Sequence, residues 1–91
     1  FMYKSVFYNN CVSWGIIDEK VFVFNEESKD IYVFTGMTKD IWLIVNYENH
    51  LQKIINKIND NKIDDLSEKI IDLIDHLVSK NLLKYKIEEQ Y

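Results

Sequence analysis

The sequence predicts an α+β domain in the order βββααα, a three-stranded antiparallel sheet followed by three helices. Three observations carry that prediction. Residues 12–17, 21–24 and 30–34 are rich in β-branched and aromatic side chains and are parted by short polar turns. Beyond Met37 the apolar residues recur at helical spacing instead. Between the two halves stands Thr35-Gly36, where a strand stops and a helix starts at once. Gly36 supplies a backbone free to take unusual dihedrals, and Thr35 or Thr38 can cap the helix that follows.

Residues 1–10 are aromatic-rich (Phe1, Tyr3, Phe7, Tyr8) without a firm period, which fits an added edge strand or an arm packed on the body. Phe1 before Met2 fits two readings equally: Met2 as the start of a complete small protein, or an internal methionine of an excised domain. Residues 12–17 form the first strand of the core sheet, Asp18-Glu19-Lys20 a tight turn, and residues 21–24 the second strand. The polar run 25–29 turns the chain into the third strand at Asp30. A sheet of three short strands is unstable alone and needs helices over one face.

The first helix, residues 37–46, is apolar nearly all round, as expected of a short buried helix with Trp42 in the core. The second starts near Asn49, whose side chain can cap while Gln52 reaches back. Its Leu51, Ile54, Ile55 and Ile58 form one stripe, Lys53 and Lys57 face away, and residues 59–61 end it. The third helix opens on a capping box of Asp65 and Glu68, with Asp64 adding favourable charge. Its apolar residues, Leu66 to Val78, cover an arc of roughly 160°, wider than the ~100° one core face needs. The surplus lies on the Ile71–Ile74–Val78 side. It is either covered by a second element, such as the C-terminal segment, or lines an apolar groove. Asn81 suits a left-handed helix end. Leu82 and Leu83 fold back on the core, and residues 84–91 make a polar tail. Connections this short let the three helices pack as a helix-turn-helix variant with the sheet as a wing.

Ninety-one residues make one domain, and 47% apolar with 14% aromatic content is ample for one core. No apolar run approaches the length of a membrane span, no signal-peptide pattern is present, and the single cysteine, Cys11, cannot form an internal disulfide. A cytoplasmic protein is expected. Fifteen acidic residues against eleven lysines, with no arginine, give a net charge of −4. Catalysis has little support: there is no glycine-rich phosphate loop, and His50 and His76 stand on different helices. No cofactor, no metal and no enzymatic activity are expected. A DNA-binding winged-helix regulator is the alternative reading. Against it, the outward face of the third helix carries Glu68, Asp72 and Asp75 beside Lys69, His76 and Lys80, and a phosphate backbone would repel such a face.

The strand ending in Phe34-Thr35-Gly36-Met37-Thr38, then Ile41-Trp42, the Leu-Ile-Ile helix, the acidic opening of the third helix and the closing Leu77, Asn81-Leu82-Leu83 resemble the PqqD-like family. These domains are recognition elements of ribosomally made, modified peptide pathways. The resemblance spans about residues 13–85. Thr35 departs from the asparagine common there in the family, Met37-Thr38 from its Thr-Gly or Thr-Ala pair, and Asn81 from its glycine. The resemblance implies a non-catalytic winged helix-turn-helix that binds the leader of a precursor peptide as a strand along the third strand, against the third helix. By position, the strand half of the site would be Lys29, Asp30, Ile31, Tyr32, Val33 and Phe34. The helix half would be Ile70, Ile71, Ile74, Asp75 and Val78. Implied partners are the leader peptide and a modifying enzyme such as a radical SAM enzyme, a cyclase or a leader protease, with neither nucleic acid nor membrane. The N-terminal arm is a candidate homodimer contact. Tyr32 and Phe34 share a strand face that also suits the core, and Ile31 and Val33 the opposite face, which could pack on the arm.

Overall fold

The computed structural model describes residues 2–60 and 63–89. The chain runs β1 (Met2–Tyr8), β2 (Val12–Ile17), β3 (Lys20–Asn25), β4 (Ile31–Phe34), α1 (Gly36–Val45), α2 (Leu51–Asn59), α3 (Ser67–Ser79) and β5 (Leu83–Glu89). Five strands form two antiparallel sheets, β2-β3-β4 and β1-β5. The expected βββααα order is therefore the middle of a longer one. The expected arm and polar tail pair with each other from Met2↔Glu89 to Tyr8↔Leu83. Leu83, Tyr85 and Ile87 alternate with Lys84, Lys86 and Glu88, the period of two that suits a strand. Phe1, Asn61 and residues 90 and 91, which belonged to the expected arm, helix end and tail, lie outside the described residues.

Local chemistry sets the turns. Asp18 and Glu19 both take positive φ, 51° and 66°, and close a two-residue hairpin whose twist matches its strands. Between β3 and β4 the buried Asn25 organises the loop: its Oδ1 accepts the N–H groups of Glu27 at 2.9 Å and Ser28 at 3.1 Å. Gly36 opens α1 at φ 59°, a conformation that penalises any side chain. At the end of α3, Asn81 takes φ 61°. Leu82 N–H then reaches Leu77 O and Asn81 N–H reaches Val78 O, both at 3.0 Å, a Schellman closure that turns Leu82 into the core.

Three expected caps are absent. Thr35 stands at the N-cap of α1 without a side-chain bond. Asn49 does not cap α2; its Nδ2 donates to Val6 O and Val45 O, so it ties β1 to the end of α1. Gln52 instead donates to Asn56. At α3 the N-cap position is Leu66, and Asp65 accepts the Ser67 N–H at 2.9 Å from one residue further out. For Asn49 a tertiary partner won over local geometry, and for Asp65 a one-residue shift did.

The core centres on Trp42, fully buried and ringed by Tyr8, Phe34 and Trp14 at centroid separations of 4.5, 5.4 and 6.3 Å. Tyr8 donates its hydroxyl to Trp42 O, and burial raises the phenol's pKa above the usual 10.0. Ile41, Ile54, Ile70, Ile74, Leu82 and Leu83 complete a contiguous apolar cluster.

Candidate functional site

In β2-β3-β4 the last strand is an edge. Two hydrogen bonds fix which of its backbone groups face outward. Asn25 N–H donates to Asp30 O at 2.9 Å, and Glu26 N–H donates to Cys11 O at 2.7 Å. Antiparallel ladders alternate by two, so the odd residues of β3 bond β4 and the even ones bond β2. With Val23 opposite Tyr32 and Val21 opposite Phe34, the peptide groups of Tyr32 and Phe34 are spent inward. Those of Ile31 and Val33 point away from the sheet. The edge is short and offers an incoming strand alternating N–H and C=O groups.

Beside this edge lies a groove of about 280 Å³. One wall is Tyr32, Val33 and Phe34 of β4, continued by Thr35 and Thr38. The other is Leu73, His76, Leu77 and Lys80 of α3, with Leu82 at the turn. Phe34 and Leu77 are buried and tie both walls to the core, so the groove is held by the fold itself. A larger hollow of about 510 Å³ opens between α1 and α2, lined by Asp40, Leu43, Ile44, Lys57 and Asp60. It lies between helices and is not bordered by a strand edge. For an extended segment the smaller groove is the better site, since there a free strand edge runs beside apolar walls supplied by a helix.

The expected strand half of the site is at the groove only in part. Tyr32, Val33 and Phe34 line it. Ile31 is 68% and Val33 51% exposed, on the outer sheet face shared with Ile17, away from the paired N-terminal segment. Lys29 and Asp30 are exposed in the preceding loop, with Lys29 at φ 66°.

The expected helix half is elsewhere. Ile70 and Ile74 are fully buried in the core. Ile71, Asp75 and Val78 lie on the flank of α3 that faces β5, where the Tyr85 hydroxyl donates to Asp75. Burial first, then that bond and the Asp75 charge, raise the Tyr85 phenol above 10.0. The surplus apolar arc is thus accounted for by the C-terminal strand. The flank that meets β4 lies across the buried stripe, at Leu73, His76, Leu77 and Lys80. The sequence signal for it was Leu73, which stands apart from Ile71 and Val78 on the helical wheel.

His50 and His76 do not converge. His50 stacks on Tyr3 at 4.2 Å, at the N-cap of α2, while His76 sits on the groove rim. No helix among the described residues is long and apolar enough to cross a membrane.

No protein-family profile matches the chain, and no curated protein does. Among solved structures, the chain is similar to TbiB1 in complex with the TbiA(beta) leader peptide. The two share 17% sequence identity with a TM-score of 0.78, over 86% of this chain and 94% of that one. At that identity the likeness is one of fold alone.

Proposed function

We propose that this domain binds the leader segment of a ribosomally made precursor peptide as an added strand on β4, with alternate side chains entering the groove against α3. One observation carries the reading: a free sheet edge, with Ile31 and Val33 peptide groups turned outward, runs beside an apolar groove walled by a helix. Backbone pairing supplies sequence-tolerant affinity, and the pockets at Tyr32, Phe34, Leu73 and Leu77 select anchor residues. The fold shared with a leader-peptide complex supports it.

In this reading β2-β3-β4 is the wing of a winged helix-turn-helix, used to clamp a peptide. The domain is cytoplasmic and catalyses nothing itself. It holds the precursor near a modifying enzyme, such as a radical SAM enzyme, a cyclase or a leader protease, and so makes the reaction effectively intramolecular.

The test is a titration of isotope-labelled protein with the leader peptide encoded nearest its gene, followed by amide shifts. Saturable changes confined to residues 30–35 and to Leu73, His76, Leu77 and Lys80 are expected. No response to the leader, with changes on the outward face of α3 on adding duplex DNA, would overturn the proposal.

A further inference from the structure

The groove holds a lysine and a histidine but no carboxylate, in an acidic protein. The chain carries fifteen acidic residues against eleven lysines, yet the groove lining contains Lys80 and His76 and no carboxylate. The asymmetry follows from how α3 distributes its charges. Lys69, His76 and Lys80 are spaced i, i+7 and i+11, which at 3.6 residues per turn puts them within an arc of roughly 40°. They fall on the side of the buried stripe that faces β4. Glu68, Asp72 and Asp75 fall on the outward and β5-facing sides, and Asp75 is engaged by Tyr85. Among the described residues the one ion pair is Lys86 with Glu88, on β5, and Lys80 meets no carboxylate there.

Resting on the leader-binding reading, we infer that the segment filling the groove carries a carboxylate directed at Lys80 and His76, next to its apolar anchors. The occupant is an acidic, apolar-anchored strand. Apolar side chains enter between Phe34 and Leu77, and an Asp or Glu at the rim meets the Lys80 ammonium beside the His76 ring. A lysine at a helix C-terminus also offsets the negative end of the helix dipole. That role concerns only folding and has no effect on which peptide is chosen. The two roles therefore separate in measurement. His76 and Lys80 are exposed in the unbound domain. A strand laid along β4 would shield their pairing with a carboxylate, and a shielded charge-assisted bond is stronger than a pair in open water. Its loss corresponds to a rise in Kd of about tenfold.

The experiment uses two synthetic peptides: the leader encoded nearest the gene, and the same leader with every Asp and Glu replaced by Asn or Gln. Each is titrated into the wild-type chain, Lys80→Gln and Lys84→Gln, the last on β5 and away from the groove. The neutral leader is expected to bind wild type about tenfold more weakly than the acidic one. Lys80→Gln should weaken the acidic leader similarly, leave the neutral one unchanged and keep the thermal midpoint within a few degrees. Lys84→Gln should alter neither. Equal binding of both leaders to wild type overturns this inference and leaves the leader-binding proposal standing. Failure of both to bind overturns the two together. A Lys80→Gln loss that is the same for both peptides also overturns it, since the lysine would then act through the fold.

Discussion

Val33→Pro separates binding at the β4 edge from the integrity of the sheet. The Val33 N–H points away from β3, so a proline there removes no ladder bond, and edge strands tolerate proline where the N–H would face outward. The preceding Tyr32 is already extended, as a residue before proline requires. Val33 is 51% exposed, so little packing is lost. The expected cost to folding is about 1 kcal/mol of strand preference. In a domain of this size that lowers the melting midpoint by roughly 4–8 °C. Binding should suffer more. The leader carbonyl that Val33 N–H would bond is left buried without a donor, which costs about 1–3 kcal/mol. That corresponds to a five- to 150-fold rise in Kd, at about 1.4 kcal/mol per factor of ten. Tyr32→Pro is the mirror control. It deletes the bond to Val23 and the packing of Tyr32 on Phe34, whose centroids are 6.4 Å apart, so it should unfold the sheet. Calorimetric titration with the leader, alongside thermal melts of both variants, reads the two effects. A folded Val33→Pro that binds like wild type, or a Tyr32→Pro as stable as wild type, would refute the alternation on which the site rests.

Other substitutions follow from the same geometry. Gly36→Ala forces a side chain onto φ 59° although no atom crowds the Cβ position, so it should cost about 1–2 kcal/mol in a denaturant melt. Gly15→Ala, with open space and ordinary φ, should be neutral or stabilise by up to about 1 kcal/mol. Leu73→Ala trims the groove wall from a half-buried position and should weaken leader binding by roughly 1–2 kcal/mol while the fold survives. Ile74→Glu, at a fully buried position, should unfold the protein instead, which circular dichroism would show. Asp65 is held below the usual 3.8 by the Ser67 hydroxyl first and the Ser67 N–H second. A depressed carboxyl stabilises the fold fully above its unfolded value and loses that contribution as pH falls through the folded one. Asp65→Asn should therefore flatten the acid limb of stability below pH about 4, measured by melts across pH.

What the sequence disclosed was local. The hairpin at Asp18-Glu19, the Asn25 loop, the Thr35-Gly36 break and the Leu51–Ile58 stripe each depend on a few neighbouring residues, and the structure has all of them. What it concealed was long-range. β5 alternates apolar and charged residues, but it is a strand only because β1, some eighty positions earlier, supplies its partner. Without that pairing, the wide apolar arc of α3 reads equally as groove or as covered face. Once β5 occupies the Ile71–Val78 side, the groove has to lie on the other, at Leu73 and Leu77. Asn49 and Gln52 had the right residue types for a cap, yet a tertiary bond to Val6 engaged the one and an i,i+4 bond to Asn56 within α2 the other. Of the expected strand residues, Tyr32, Val33 and Phe34 do line the candidate groove, because alternation along β4 is local. The helix half was not legible, because the choice of flank depends on how α3 is rotated against the sheet.

The most direct test of strand addition is amide hydrogen exchange of residues 31–34 with and without saturating leader peptide. Tyr32 and Phe34 should exchange slowly in both states, because β3 already holds them. Ile31 and Val33 should exchange freely in the unbound protein and become protected when the leader binds. Saturable binding that leaves Ile31 and Val33 as exposed as before, or protects only the α1–α2 hollow, would contradict the account.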